Sequence, residues 1–84
     1  MKKWAGEYRV KKETTWNRAS SKLRKTEIQA QSDCKRVAFA DIRNEIIEFR
    51  IVNEVGDVIL KSHIGSGPHL TWYSPVEAQR VGHG

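Results

Sequence analysis

Nine Lys or Arg residues fall within the first 25 positions, against two acids, Glu7 and Glu13. The other 59 residues hold six bases and eight acids, and the 84-residue chain carries a formal charge of +5. Trp4, Tyr8 and Trp16 are spaced among those cations. Two chemistries follow from such a mixture. Cationic side chains neutralise phosphates and release their condensed counterions, so the resulting binding weakens steeply with salt. Rings between them can stack on bases, although a short domain more often needs its large rings for packing. A basic block beside a near-neutral body points to an anionic partner, either nucleic acid or a protein that handles it. The candidate contacts in the block are Arg9, Lys11, Lys12, Arg18, Lys22, Arg24 and Lys25.

Other reactive types are poorly arranged for catalysis. His63, His69 and His83 have no metal-ligand spacing to one another or to Cys34, so neither a metal nor another cofactor is expected. Ser20, Ser21, Ser66 and Ser74 lack a nucleophile-elbow setting, and Gly65-Ser66-Gly67 is too short a pattern for a phosphate loop. Cys34 reads as a small core residue rather than a thiolate. The expectation is a protein without enzymatic activity. The single cysteine allows no internal disulfide, which suits a reducing cytoplasm. No apolar run is long enough for a secretory signal or a membrane span, so no membrane partner is expected.

These side chains need a scaffold, and 84 residues are enough for one domain with one small core. Residues 4–15 read as a strand, with Trp4, Tyr8 and Val10 on one face and Glu7, Arg9, Lys11 and Glu13 on the other. Residues 17–25 read as an open, mobile loop. Residues 26–31 alternate again, with Ile28 and Ala30 inward and Glu27, Gln29 and Gln31 outward. A helix is predicted from Ser32-Asp33 to about Arg43, with Asn44 as its end cap. Its inner stripe is Cys34, Val37, Ala38 and Ile42, flanked by Phe39 and Ala40, with Asp41 ill at ease on it. Small residues at 34 and 38 let such a helix lie close on a sheet. Lys35 and Arg36 then sit near the positive end of the helix dipole, a small electrostatic cost that hints at a contact.

Residues 45–54 form the clearest strand. Ile47, Phe49 and Ile51 share a face opposite Glu48 and Arg50, with Ile46 and Val52 on the charged side. Val55-Gly56-Asp57 turns the chain, residues 58–64 return, Gly65-Ser66-Gly67-Pro68 turns again, and residues 70–74 make a short last strand. In these strands Val58, Leu60, Ile64, Leu70 and Trp72 point inward. The order is β-β-α-β-β-β. The expected fold is α+β, a five-stranded antiparallel sheet with one helix packed on one face. One domain spans residues 1–74, with a loose tail over 75–84. The helix-free face is expected to carry Arg9, Lys11, Gln29, Glu48, Arg50, Lys61, His63 and Tyr73.

A resemblance adds to this reading. It is carried by Tyr8-Arg9-Val10-Lys11, Thr26-Glu27-Ile28-Gln29-Ala30-Gln31-Ser32, Cys34-Lys35-Arg36-Val37-Ala38, Asn53-Glu54-Val55-Gly56 and Trp72. This succession resembles a small phage-encoded anti-CRISPR protein that inhibits type I (I-F-like) surveillance complexes. The resemblance implies a five-stranded antiparallel sheet with one helix. It also implies binding along the backbone subunits of the complex, where target DNA pairs with guide RNA. Lys35 and Arg36 fall on a contacting Lys-Arg pair and Lys11 on a first-strand lysine. The chain departs from that pattern in a longer basic first loop, in Cys34 where the inhibitor has Ala, and in a C-terminal tail.

Residues and resemblance together predict a non-enzymatic phage inhibitor that works in the host cytoplasm. It is expected to bind a surveillance nucleoprotein and block nucleic-acid binding through Lys35, Arg36, Lys11, Arg9, Lys22, Arg24 and Lys25. Reversing charge at Lys35 and Arg36 is expected to spare stability while abolishing affinity. The alternative is a sequence-tolerant DNA- or RNA-binding protein. A third class is a structural phage protein that pairs with itself through a sheet edge.

Overall fold

The structure is a computed structural model that describes residues 2–64 and 70–75. Strand β1 (Trp4–Val10) is followed by the two-residue β2 (Asn17–Arg18), helix α1 (Glu27–Ala40), β3 (Ile46–Asn53), β4 (Val58–Ile64) and β5 (Leu70–Tyr73). All five strands form one antiparallel sheet in the order β2-β1-β3-β4-β5, with α1 against β1 and β3. The expected α+β architecture and element order are therefore present. The predicted turn at 65–68, His69, His83 and residues 76–84 lie outside the described residues.

The second strand and the helix start differ from expectation. Residues 26–31 are not a strand: Thr26 is the N-cap of α1, and its hydroxyl accepts from the Gln29 amide at 3.1 Å. Gln29 reaches back to accept from the Lys25 amide at 3.2 Å. This is close to a capping box, in which a Thr and a Gln three residues on satisfy the free amides of the first turn. A six-residue alternation is too short to outweigh such a cap. Ala30 is buried as expected, but Ile28 is 73% exposed. Gln29 consequently leaves the sheet face for the helix.

The short β2 comes instead from the segment expected to be an open loop. Asn17 and Arg18 pair with Tyr8 and Glu7. The Ala19 amide donates to the Gly6 carbonyl at 2.8 Å, and Trp4 and Arg24 exchange backbone bonds of 2.8 and 2.7 Å. The segment thus covers the β1 edge, which prevents pairing with another chain there. β1 itself stops at Val10, not at residue 15. Lys12 adopts a positive φ of 68° and the Glu13 amide turns back to the Val10 carbonyl at 3.1 Å.

The helix ends at Ala40 rather than near Arg43, and its C-cap is Asp41 rather than Asn44. The Asp41 carboxylate accepts from the amides of Glu45 at 3.1 Å and Ile46 at 3.0 Å. That accounts for an acid next to the inner stripe: it ties the helix end to the start of β3. Asn44 serves the same turn with φ of 53°, a left-handed conformation Asn tolerates. Ile42 lies beyond the helix and is 87% exposed, so it is not part of the inner stripe.

The core lies between α1 and the sheet, with Ala30, Cys34, Ile46, Phe49 and Ile51 at its centre. Trp4, Tyr8, Val10, Leu60, Leu70 and Trp72 pack around it, as their alternation predicts. The helix comes closest over Gly6, where an added Cβ would stand 2.6 Å from the Cys34 sulfur and 2.8 Å from the Ala30 carbonyl oxygen. Small residues at 30 and 34 permit that approach. Ile46 joins the core, against expectation, because the β1–β3 register slips between Arg9 and Val10 and pairs Val10 with Ile46. Val52 is buried too, in register with buried Ala5.

Candidate interaction surface

The face of the sheet turned away from α1 carries a cross-strand charge lattice. In one row, register aligns Arg18, Glu7, Arg50, Lys61 and Tyr73 across all five strands. Arg50 Nε donates to Glu7 Oε1 at 2.7 Å, and Arg18 lies 4.0 Å from the same carboxylate. In the next row Arg9 pairs with Glu48 at 2.6 Å, and Lys61 lies 3.9 Å from that carboxylate. Opposite charges directly across strands stabilise a sheet. They also neutralise one another.

Trp16 lies over this lattice. The Arg50 guanidinium sits 4.0 Å from the ring centroid, and the Arg9 guanidinium 5.9 Å from it. Arg50 is well within cation–π range, and that face of the ring is occupied by a protein cation. Trp4 and Tyr8 pack against the core. The three rings of the basic block are thus all engaged within the fold.

The helix layer distributes charge differently. Asp33 is buried at 1% exposure and is held by Arg24 through Nε at 2.8 Å and Nη2 at 2.9 Å. Arg36, one turn along, reaches the same carboxylate at 3.2 Å. The bidentate contact is the strong form of an Arg–carboxylate pair. Its hydrogen bond to Asp33 raises the Arg24 pKa above its ordinary value. Cys34, next in sequence, is buried in the core; burial first and the Asp33 charge second push its thiol up to about 12. A thiol so placed stays protonated and behaves as a packing group.

The seven predicted contact residues therefore separate. Arg9 belongs to the sheet lattice and Arg24 to the Asp33 tie. Arg36 is exposed but linked to Asp33. Lys11 is exposed in the turn after β1, with its amide bound to the Glu45 carbonyl at 2.8 Å. Lys22, Lys25 and Lys35 are exposed and make no ion pair among the described residues. Lys35 and Arg36 stand in the middle of α1 rather than at its start, so the dipole penalty expected for them does not arise.

On the outward stripe of α1 the sequence assigned a contact role to Lys35 but none to its apolar residues. Ile28, Ser32, Lys35 and Phe39 follow one another at helical spacing on the side away from Ala30 and Cys34. Phe39 is 62% exposed. The signal was available in the sequence, but it required the helix to start at Glu27.

No family model, curated protein or solved structure matches this chain. No helix among the described residues is long and apolar enough to cross a membrane, and no group of three or more metal-ligating side chains occurs among them.

Proposed function

We propose that this chain is a non-catalytic phage inhibitor of a CRISPR-type surveillance complex. It acts in the bacterial cytoplasm by docking on the backbone subunits of the complex and obstructing its target nucleic acid. The observation that carries this reading is the uneven neutralisation of charge. Arg9, Arg50 and Arg24 are bound by Glu48, Glu7 and Asp33, whereas Lys22, Lys25 and Lys35 are exposed without such partners among the described residues. The exposed cations outside any ion pair among the described residues are Lys2, Lys11, Lys12, Lys22, Lys25, Lys35 and Arg43, of which Lys22, Lys25 and Lys35 belong to α1 and the segment leading into it. A groove that holds nucleic acid is itself basic, so on this reading the exposed lysines meet acidic or polar patches at its rim, and occupying the groove blocks hybridisation by bulk. Direct binding of bare nucleic acid is less favoured, because Arg50 already covers a face of Trp16.

The test is co-purification with a type I surveillance complex, followed by a target-DNA binding assay. The expected result is co-elution with loss of target-DNA binding. A variant combining Lys22→Gln, Lys25→Gln and Lys35→Gln should weaken both by about tenfold or more. No co-elution, with undiminished DNA binding, overturns the proposal. Tight, steeply salt-dependent binding to bare duplex would replace it with the nucleic-acid reading.

A further inference from the structure

We infer that the outward stripe of α1 is a docking surface for an acidic protein element with an apolar centre, such as an amphipathic helix edged by Asp and Glu. The inference rests on the inhibitor reading in taking the surveillance complex as the owner of that element. Ile28 and Phe39 are 73% and 62% exposed, and Ile42 just past the helix is 87% exposed. Phe39 stands eleven positions after Ile28 on α1, a rise of about 16 Å at ~1.5 Å per residue. Single exposed apolar residues are ordinary, but Ile28 and Phe39 share one face of α1, in a strip with Ser32 and Lys35 between them, and Ile42 follows just past the helix end.

Cations outnumber acids around the strip: Glu27 is half-buried, Asp33 is buried and Asp41 is bonded into the C-cap, while Glu45 beyond the helix end is exposed. Lys25, Lys35, Arg36 and Arg43 remain exposed around the apolar residues. Ser32, within the strip, spends its hydroxyl on the Ile28 carbonyl at 3.1 Å. A cleft of about 230 Å³ beside the helix end, lined by Tyr8, Val10, Val37, Ala40, Asp41, Glu45 and Ile46, lies on the sheet side of α1 and apart from the strip.

Three occupants compete for such a surface. A second copy of the chain would set Lys35 and Arg36 against their own equivalents across a two-fold axis. Nucleic acid would engage the cations but leave Ile28 and Ile42 without a stacking partner. An acidic, apolar protein element satisfies both features at once, with apolar anchors at the centre and charge at the rim.

The experiment measures binding of the full chain to a purified type I surveillance complex, alongside Ile28→Ser, Phe39→Ser and Lys35→Gln. Thermal melting of each variant confirms folding, and sedimentation and DNA mobility shifts run in parallel. The expected result is a loss of about tenfold or more for each serine variant, with melting unchanged. The loss from Phe39→Ser should persist at about 0.5 M salt, while that from Lys35→Gln should fade there. Binding by the wild type that both serine variants retain overturns the docking surface and leaves the inhibitor reading standing. Absence of wild-type binding removes the inhibitor reading and this inference with it. Self-association abolished by Phe39→Ser, or DNA binding abolished by Lys35→Gln with both serine variants unaffected, also overturns the inference.

Discussion

Arg24 grips Asp33 through two parallel contacts of 2.8 and 2.9 Å, and so fastens the segment before α1 to the buried side of the helix. A residue whose type and setting suggested phosphate binding is instead an internal tie. The electrostatic reason is plain: a carboxylate at 1% exposure is tolerated only when paired.

Removing the arginine should therefore hurt more than removing the acid. Arg24→Ala strands a buried carboxylate, whereas Asp33→Ala leaves a guanidinium that reaches water. Arg24→Ala should lower Tm on the order of 10 °C, and Asp33→Ala by less. Arg36 touches the same carboxylate, so Arg24→Ala with Arg36→Ala should cost more than the two singles together. Calorimetry on the wild type and the four variants decides this, and a larger loss for Asp33→Ala would refute the role of the tie.

Gly6 should not accept a methyl group. Its Cβ would meet the Cys34 sulfur at 2.6 Å and the Ala30 carbonyl oxygen at 2.8 Å. Gly6→Ala should destabilise by about 1–3 kcal/mol in urea titrations. Adding Cys34→Ala should recover only part of that loss, because the backbone contact remains. Full recovery would show that the sulfur alone sets the spacing.

Cys34 should make stability fall in alkali. Its thiol pKa is raised by burial from 9.0 to about 12. The folded state therefore holds its proton more tightly than the unfolded state. The stabilisation is complete below pH 9 and is lost as pH rises toward 12. The loss is about 1.4 kcal/mol per pH unit in that window. Cys34→Ala should lack this component, so the gap between wild type and variant should narrow with rising pH. Below pH 9 the native thiol should react with disulfide reagents only as fast as the protein opens.

Lys35 and Arg36 should separate under charge reversal. Lys35→Glu alters a solvated position and should change stability by no more than about 0.5 kcal/mol. Arg36→Glu places a second carboxylate beside Asp33 and should lower the melting temperature. Reversing both charges together confounds binding with folding, contrary to the expectation from sequence that stability would hold. Parallel melts of the two single variants check this, and equal melting temperatures would contradict it.

The strands after the helix were legible because their signals are local. Residues 58–64 alternate over seven positions after a turn at Gly56, whose φ is 91°, and β4 has those bounds. Leu70 and Trp72 faced inward as their spacing required. The misreading of residues 26–31 arose where two local signals overlapped. The alternation of Ile28 and Ala30 suggested a strand, while Thr26 and Gln29 encoded a cap. The cap prevailed because it satisfies helix amides, and because α1 gains burial from Ala30 and Cys34 over Gly6.

By itself, the sequence determined the α+β class, the element order and the excess of positive charge near the start of the chain. Period-two alternation, turn residues and composition act over a few neighbouring positions and need no partner from elsewhere. Only the tertiary structure decided which cations remain available. Arg24 meets Asp33 across 9 positions, Arg9 meets Glu48 across 39, and Arg50 meets Glu7 across 43. Those pairings depend on strand register and on where the helix begins, and the first two turn an expected contact residue, Arg24 or Arg9, into part of the scaffold.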